Sequence, residues 1–243
     1  MNKKTFVIAG GSTGVAKHVV SELVKLGHNV VFGDLDVKNE LKEKQLLSVY
    51  TDVTNVNDCE KLFKLAYETF GRIDGFFSYA GITPAQSLLE CIEDVHNDIF
   101  DVNVKGAVFC SKYAVKYMKE NGGSIVFTGS PHSDAGESDR VSYACSKGAV
   151  VTLANHIAKN YGKHNIRSNY ITMGWTPTEG ELTLRESQGM SKEDLEKHAL
   201  EFIPMGRMNK YEDIIPAIIY LLSDNSLMVS GSNIRITGGW FMQ

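Results

Sequence analysis

Short β-rich runs alternate with helical patterns along the whole chain, and this alternation limits the fold more than any other feature. Residues 5–9, 29–33, 46–50, 75–78, 124–128, 167–171 and 234–237 read as strands. Between them, residues 15–26, 56–70, 92–118, 141–161 and 211–223 carry apolar residues at helical spacing. The repeating unit is therefore βαβ, and the expected fold is α/β: a doubly wound, mostly parallel seven-stranded sheet with helices on both faces. The 243 residues contain no low-complexity tract, fixed-period repeat or Pro-Ser-Gly linker, so a single domain over 1–243 is expected. Residues 173–208 break the rhythm. They hold no strand, and 179–201 is rich in acids, which reads as a loop and short helices forming a substrate lid at 175–208.

An eight-stranded closed barrel is the rival architecture at this length, but it does not demand a glycine turn after its first strand. Here Gly10-Gly11-Ser12-Thr13-Gly14-Val15-Ala16 follows the first strand and runs directly into a helix. Glycines let the backbone turn tightly and approach a diphosphate, while the helix N-terminus offers free N–H groups and a partial positive charge. Asp34 ends the second strand about twenty residues after Gly14, where an acid accepts hydrogen bonds from the adenosine ribose of NAD. A 2'-phosphate would be repelled by Asp34, with Asp36 close behind, and the turn offers Ser12 and Thr13 where a cation would be wanted. NAD is favoured over NADP.

Tyr143 and Lys147 lie four apart in a helical segment, hence on one face and about 6 Å apart along the axis. At an effective dielectric of about 20, a cation there stabilises a phenolate by roughly 3 kcal/mol, or about two units off a phenol pKa near 10. The expectation is a tyrosine tuned towards general acid-base work.

These motifs, in this order, resemble the short-chain dehydrogenase/reductase family along nearly the whole chain. Gly10, Gly14 and the helix start match the family's glycine turn, Asp52-Val53 its adenine-side acid, and Ser78-Tyr79-Ala80-Gly81 its Asn-Asn-Ala-Gly. Asn103 matches the helix asparagine, Ser130 the catalytic serine, and Tyr143-Ala144-Cys145-Ser146-Lys147 the tyrosine-lysine pair. Departures are Ala16 for the third glycine, Ser78-Tyr79 for two asparagines, Met173-Gly174 for Pro-Gly, and Thr237 for the Asp before the final Gly-Gly. They bear on cofactor affinity and remove no proton-transfer group.

The resemblance implies a Rossmann-type fold and hydride transfer with NAD. Tyr143 then exchanges a proton with the substrate oxygen, Ser130 positions that oxygen, Lys147 lowers the tyrosine pKa and holds the nicotinamide ribose, and Asn103 anchors a water leading to Lys147. The cofactor residues so implied are Gly10, Ser12, Thr13, Gly14, Val15, Asp34, Asp52, Val53, Ala80, Gly81, Tyr143, Lys147, Gly174 and Thr178. Substrate is expected against Ser130, His132, Tyr143 and Trp175, with Asp134, Arg140, Glu179 and Glu181 as further polar neighbours. A sugar, polyol or sugar acid is the expected substrate, with a hydroxysteroid or aliphatic carbonyl as the alternative. An NAD-binding regulatory protein with little turnover is the reading from another class.

The formal net charge of -4 argues against nucleic acid or an anionic membrane surface as partner. No apolar run approaches a membrane span, and residues 6–9 are too short for a signal-peptide core. Cys59, Cys91, Cys110 and Cys145 are scattered with no zinc spacing, so a reduced cytoplasm and no metal are expected. Cys145 is read as a small core-facing residue. The apolar tail Gly239-Trp240-Phe241-Met242, like the family resemblance, points to a homo-oligomer, a tetramer or dimer.

Overall fold

In a computed structural model, which describes residues 3–38, 41–187 and 189–240, seven strands form one sheet in the order β3-β2-β1-β4-β5-β6-β7, every neighbouring pair parallel. The strands are β1 (Thr5–Ala9), β2 (Asn29–Asp34), β3 (Leu46–Tyr50), β4 (Gly75–Ser78), β5 (Gly123–Gly129), β6 (Ile166–Met173) and β7 (Asn233–Ile236). All five residues of β1 are buried, because a central parallel strand is covered on both faces and so reads as a continuous apolar run. Val7, Ala9 and Val31 face one layer, packing with helices α2 (Val56–Phe70), α4 (Gly106–Met118) and α5 (Val141–Tyr161). Phe6, Ile8 and Val30 face the other, against α1 (Gly14–Lys25) and α8 (Tyr211–Leu222). This is the expected doubly wound fold.

The chain leaves β1 towards β2 and β3 on one side and places β4 to β7 on the other, so β1 and β4 bound the crevice where such sheets bind ligands. Helix ends are set locally. The Asn55 side chain accepts from Asn57 N to open α2, and Gly71, at φ +75°, closes it.

The expected helix 92–118 is interrupted. It comprises α3 (Glu93–Phe100), a π turn over Asp101–Lys105, and α4. A π turn inserts one extra residue into the helical ladder without any change of hydrophobic period that a sequence reading would register. The described residues of 173–208 hold no strand beyond the end of β6 and contain α6 (Glu179–Ser187) and α7 (Lys192–Phe202), as expected. The Ser191 and Asp194 side chains cap α7 reciprocally. A small separate cluster, Leu195, Ala199, Ile203 and Met208, holds α7 down, with Trp175 and Trp240 packed against it. Among the described residues no helix is long and apolar enough to cross a membrane.

Candidate active site

The carboxyl ends of β1, β4, β5 and β6 open into a cleft of about 550 Å³. At its β1 side, Gly10 and Gly14 have φ of +84° and +54°, and a Cβ on Gly10 would lie 2.7 Å from the Ala80 backbone nitrogen. The turn is thus pressed against the loop after β4, where Ala80 N donates to the Ala9 carbonyl at 2.8 Å. Asp34 Oδ2 accepts from Ser12 N at 2.9 Å, which brings the carboxylate beside the turn. Thr13 provides no side-chain cap for α1, so the N–H groups of its first turn must find acceptors elsewhere.

Two of those N–H groups are engaged by the chain itself. Gly14 N donates to Glu179 Oε2 and Val15 N to the Tyr79 hydroxyl, both at 3.3 Å. Glu179 comes from the first turn of α6, so an anion already sits where a helix N-terminus favours one. Burial pushes the Tyr79 phenol up to about 12, keeping it protonated. The sequence identified Tyr79 only as a departure from asparagine; its contact across the turn had no signal there. Asp52 closes its own loop, Oδ1 accepting from Thr54 N and Oγ1, and Val53 packs where Gly106 has no side chain.

Beyond the turn, Gly81 approaches the buried interior, where an added Cβ would meet Asn103 Oδ1 at 3.2 Å and Lys147 Nζ at 3.7 Å. Asn103, inside the π turn, holds both backbone groups of Ile82, accepting from its N–H at 2.8 Å and donating to its carbonyl at 3.0 Å. Its Nδ2 also donates to Ser146 Oγ, and Ser146 in turn donates to the Tyr143 carbonyl. Asn103 therefore ties the loop after β4 to the helix that carries Tyr143. Gly174 follows β6 because a Cβ there would lie 2.7 Å from Thr237 Cα, and the Thr178 hydroxyl accepts from Glu181 N to open α6.

Tyr143 and Lys147 lie on the cleft side of α5, with Ser130 at the end of β5 beside them. Lys147 is buried, donates from Nζ to the Thr128 carbonyl at 2.9 Å, and stands 5.6 Å from the Tyr143 ring centroid. Burial lowers its ammonium to about 8. The expected lowering of the Tyr143 pKa is overturned for the protein without ligands. Burial raises it, the Glu181 charge adds to the rise, and the opposing pull of Ser130 and Arg140 does not compensate. The reason is that the phenol is itself desolvated, a cost that the spacing to Lys147 does not reveal.

His132 sits edge-on to Tyr143 with centroids 5.6 Å apart. Its Nδ1 accepts from Glu137 N, which leaves the ring proton on Nε2, and burial together with the Arg140 charge pushes its pKa down to about 4. It is a neutral donor. Trp175 donates from Nε1 to Glu181 Oε1 at 2.7 Å, and Arg185 Nε donates to the same oxygen at 2.8 Å. Glu179 and Glu181, expected as ligands for sugar hydroxyls, are thus engaged within the protein. Asp134 is also displaced from the expected site: it pairs with Arg235 at 2.6 Å and does not line the cleft. Cys145 is exposed, not core-facing, because Ser142 and Ser146 take the buried face of α5. Of the apolar tail, Trp240 packs over the α7 cluster, while Phe241 and Met242 lie outside the described residues.

Residues 9–241 match a family model described as enoyl-(acyl carrier protein) reductase, over a chain that carries the ordered glycine turn, Asn103, Ser130, Tyr143 and Lys147. The chain belongs to the short-chain dehydrogenase/reductase family. The family match and the relatives make it an oxidoreductase of that type, acting on a CH-OH group. It is 32% identical to an uncharacterized oxidoreductase of Thermotoga maritima, over 97% of this chain and 96% of the relative. It is 30% identical to the 2-dehydro-3-deoxy-D-gluconate 5-dehydrogenase of Dickeya dadantii, over 98% and 95%. Among solved structures, ElxO with NADP bound superposes with a TM-score of 0.87 at 25% identity, covering 98% of both chains. Relatives of similar identity differ in the substrates their names give, so family membership fixes the reaction type and not the substrate.

Proposed function

We propose that this short-chain dehydrogenase/reductase uses NAD to interconvert the secondary alcohol and ketone of a small polar substrate of the sugar, polyol or sugar-acid class. The observation that carries the reading is the convergence of Ser130, Tyr143 and Lys147 on one cleft whose other wall is the glycine turn. The residues present fit a dinucleotide. Gly10 and Gly14 give the backbone clearance, the N–H groups of Gly14 and Val15 are donors for a diphosphate once Glu179 and Tyr79 yield them, and Asp34 stands as acceptor for ribose hydroxyls. Both bonds to be exchanged are long, which favours that exchange.

A bound nicotinamide supplies or takes up the hydride; the chain's own residues manage the substrate oxygen. Tyr143 moves the proton at that oxygen, Ser130 hydrogen-bonds and orients it, and Lys147 supplies positive charge on the far side of the phenol ring. Asn103 positions α5 through Ser146 and anchors a water path towards Lys147. His132, a neutral donor at Nε2, binds a substrate hydroxyl, and Trp175 closes the pocket behind it. The segment 175–208 acts as a lid, a reading supported by the reach of Glu179 and Glu181 from α6 into the cleft. NAD preference rests on Asp34, whose carboxylate opposes a 2'-phosphate. Met190 and Phe202 line the outer cleft and favour a more apolar substrate, such as a hydroxysteroid, as the second reading.

The test is turnover with NAD and NADP against a panel of sugars, polyols, sugar acids and hydroxysteroids, followed by absorbance of the reduced cofactor. The expected result is oxidation of a polar member with NAD, reduced by two to four orders of magnitude in Tyr143→Phe while NAD binding is kept. Turnover of hydroxysteroids alone would move the assignment to the second reading, and NAD binding without any turnover would point to a regulatory role.

A further inference from the structure

Arg140 is the residue immediately before α5, three before Tyr143, and both line the cleft. It is 4% exposed, yet it lines the cleft. A guanidinium cannot discharge by losing its proton, and burying one requires partners for a planar set of five donors. Arg140 has few. Nη1 donates to the Asp139 carbonyl at 3.4 Å and lies 3.2 Å from Asp139 Oδ2, a carboxylate whose side chain is 45% exposed and so shares its charge with solvent. Nε and Nη2 have no hydrogen-bond partner among the described residues. Neither belongs to the buried polar atoms sealed off without a partner, so these donors keep contact with solvent in a residue that lines the cleft.

Beyond Asp139, the other charged groups around the cleft among the described residues do not pair with this cation. Glu181 is held by Arg185 and Trp175, Glu179 by the glycine turn, and Lys147 by the Thr128 carbonyl. His132 is neutral, and Glu137 stands exposed at the rim. A buried guanidinium with an unused edge is complementary to a planar anion taken up in bidentate fashion. Its charge already acts on both the Tyr143 phenol and the His132 ring, so an anion on it would be held close to the reacting oxygen.

We propose that Arg140 anchors a carboxylate of the substrate, and hence that the substrate is a hydroxy or keto acid, of which a sugar acid is the polyhydroxylated case. The proposal rests on the dehydrogenase reading above and narrows its substrate class. Arg140 is then a specificity-determining residue: it fixes which end of the substrate lies deepest and which carbon faces Tyr143.

The experiment compares matched acid and neutral pairs, D-gluconate with D-sorbitol and 3-hydroxybutyrate with 2-butanol, in the wild-type protein, Arg140→Gln and Arg140→Lys. The wild type is expected to favour the acid in kcat/KM by at least tenfold for the pair it accepts. Arg140→Gln should lower that acid-to-neutral ratio at least tenfold, mainly through KM, and Arg140→Lys should restore part of it. A ratio cancels any general damage from the loss of a buried side chain, and a titration of NAD against each variant checks that the fold persists. An unchanged ratio in Arg140→Gln, equal use of the neutral partner by the wild type, or preference for a sugar phosphate such as sorbitol 6-phosphate would each overturn the proposal while leaving the dehydrogenase reading in place. If no member is turned over, that broader reading fails, and gluconate is titrated into the complex with NADH by fluorescence. Binding to the wild type that is lost in Arg140→Gln then supports the carboxylate anchor, and binding that is absent or equal in both overturns it.

Discussion

The sheet with its flanking helices and the α6–α7 segment are held in place by different means. In the sheet, side chains such as Val7, Phe76, Phe127 and Ile125 are fully buried, in clusters that join strands to helices on both faces. The α6–α7 segment is anchored by Leu195, Ala199, Ile203 and Met208 and by polar contacts that reach into the cleft: Glu179 to the glycine turn and Glu181 to Trp175. Ser130, Tyr143, Lys147 and Asn103 all belong to the first region, among close-packed elements. The second region adds Glu179, Glu181 and Arg185 to the cleft wall, beside His132 and Arg140 from the first. The two regions are therefore expected to differ in how readily they open.

The largest effect that tests this contrast is on stability. Phe76→Ala, in the middle of β4, should lower the unfolding free energy by about 3–5 kcal/mol in denaturant titrations. Leu195→Ala removes an equally buried side chain, but should cost the global transition no more than about 2 kcal/mol and instead increase hydrogen exchange across α7. Equal global losses would make the two regions one cooperative unit.

Next comes Lys147, a strained member of the well-packed region. Its ammonium is held at about 8 by burial, against an ordinary value of 10.5. The folded protein thus binds fewer protons than the unfolded chain between these values, and the stability of the cofactor-free protein should rise as pH climbs from about 8 to 10.5. Lys147→Met should stabilise the protein at pH 7 by on the order of 1–3 kcal/mol while weakening NAD binding and abolishing turnover. Thermal unfolding across pH reads this directly; a flat profile for the wild type would contradict it.

Smaller effects concern the cofactor turn. NAD should bind at least tenfold more tightly than NADP, about 1.4 kcal/mol, and Asp34→Ala should erase most of that difference in titrations of both dinucleotides. Glu179→Gln takes a charge from the α1 N-terminus that a diphosphate would compete with. NAD affinity should rise by about 0.3–1 kcal/mol, the usual worth of such a charge. A fall would mean that Glu179 supports the bound cofactor and does not stand in for it.

The sequence made the strands visible because both-sided burial forces continuous apolar runs, and it made the Tyr143–Lys147 pair visible because i, i+4 spacing on a helix is geometry. Glycine positions were equally legible at Gly10 and Gly14, where positive φ and close approach exclude a side chain. What stayed hidden depends on contacts far apart in the chain. Glu179 reaches the first turn of α1, Tyr79 caps Val15, and Asn103 faces Ile82 from a π turn; none of these has a local pattern. The phenol pKa went the other way from expectation because spacing gives the distance to a cation but not the desolvation of the phenol. Arg140 was legible as a polar neighbour of the site, whereas its burial and unused donors were not.

If the Tyr143 phenol carries the proton of the reaction, turnover must follow its ionisation, and the pH dependence of the rate is the sharpest test. Steady-state oxidation of the identified substrate should be followed from pH 6 to 11 in the wild type and in Tyr143→Phe, beside an ultraviolet difference titration of the cofactor-free proteins. The wild-type rate should rise with pH through one ionisation, the residual rate of Tyr143→Phe should lack it, and the Tyr143 phenol of the cofactor-free protein should ionise above the ordinary value of about 10. Tyr143→Phe retaining the same pH-dependent rise would assign the proton to another group and contradict the account.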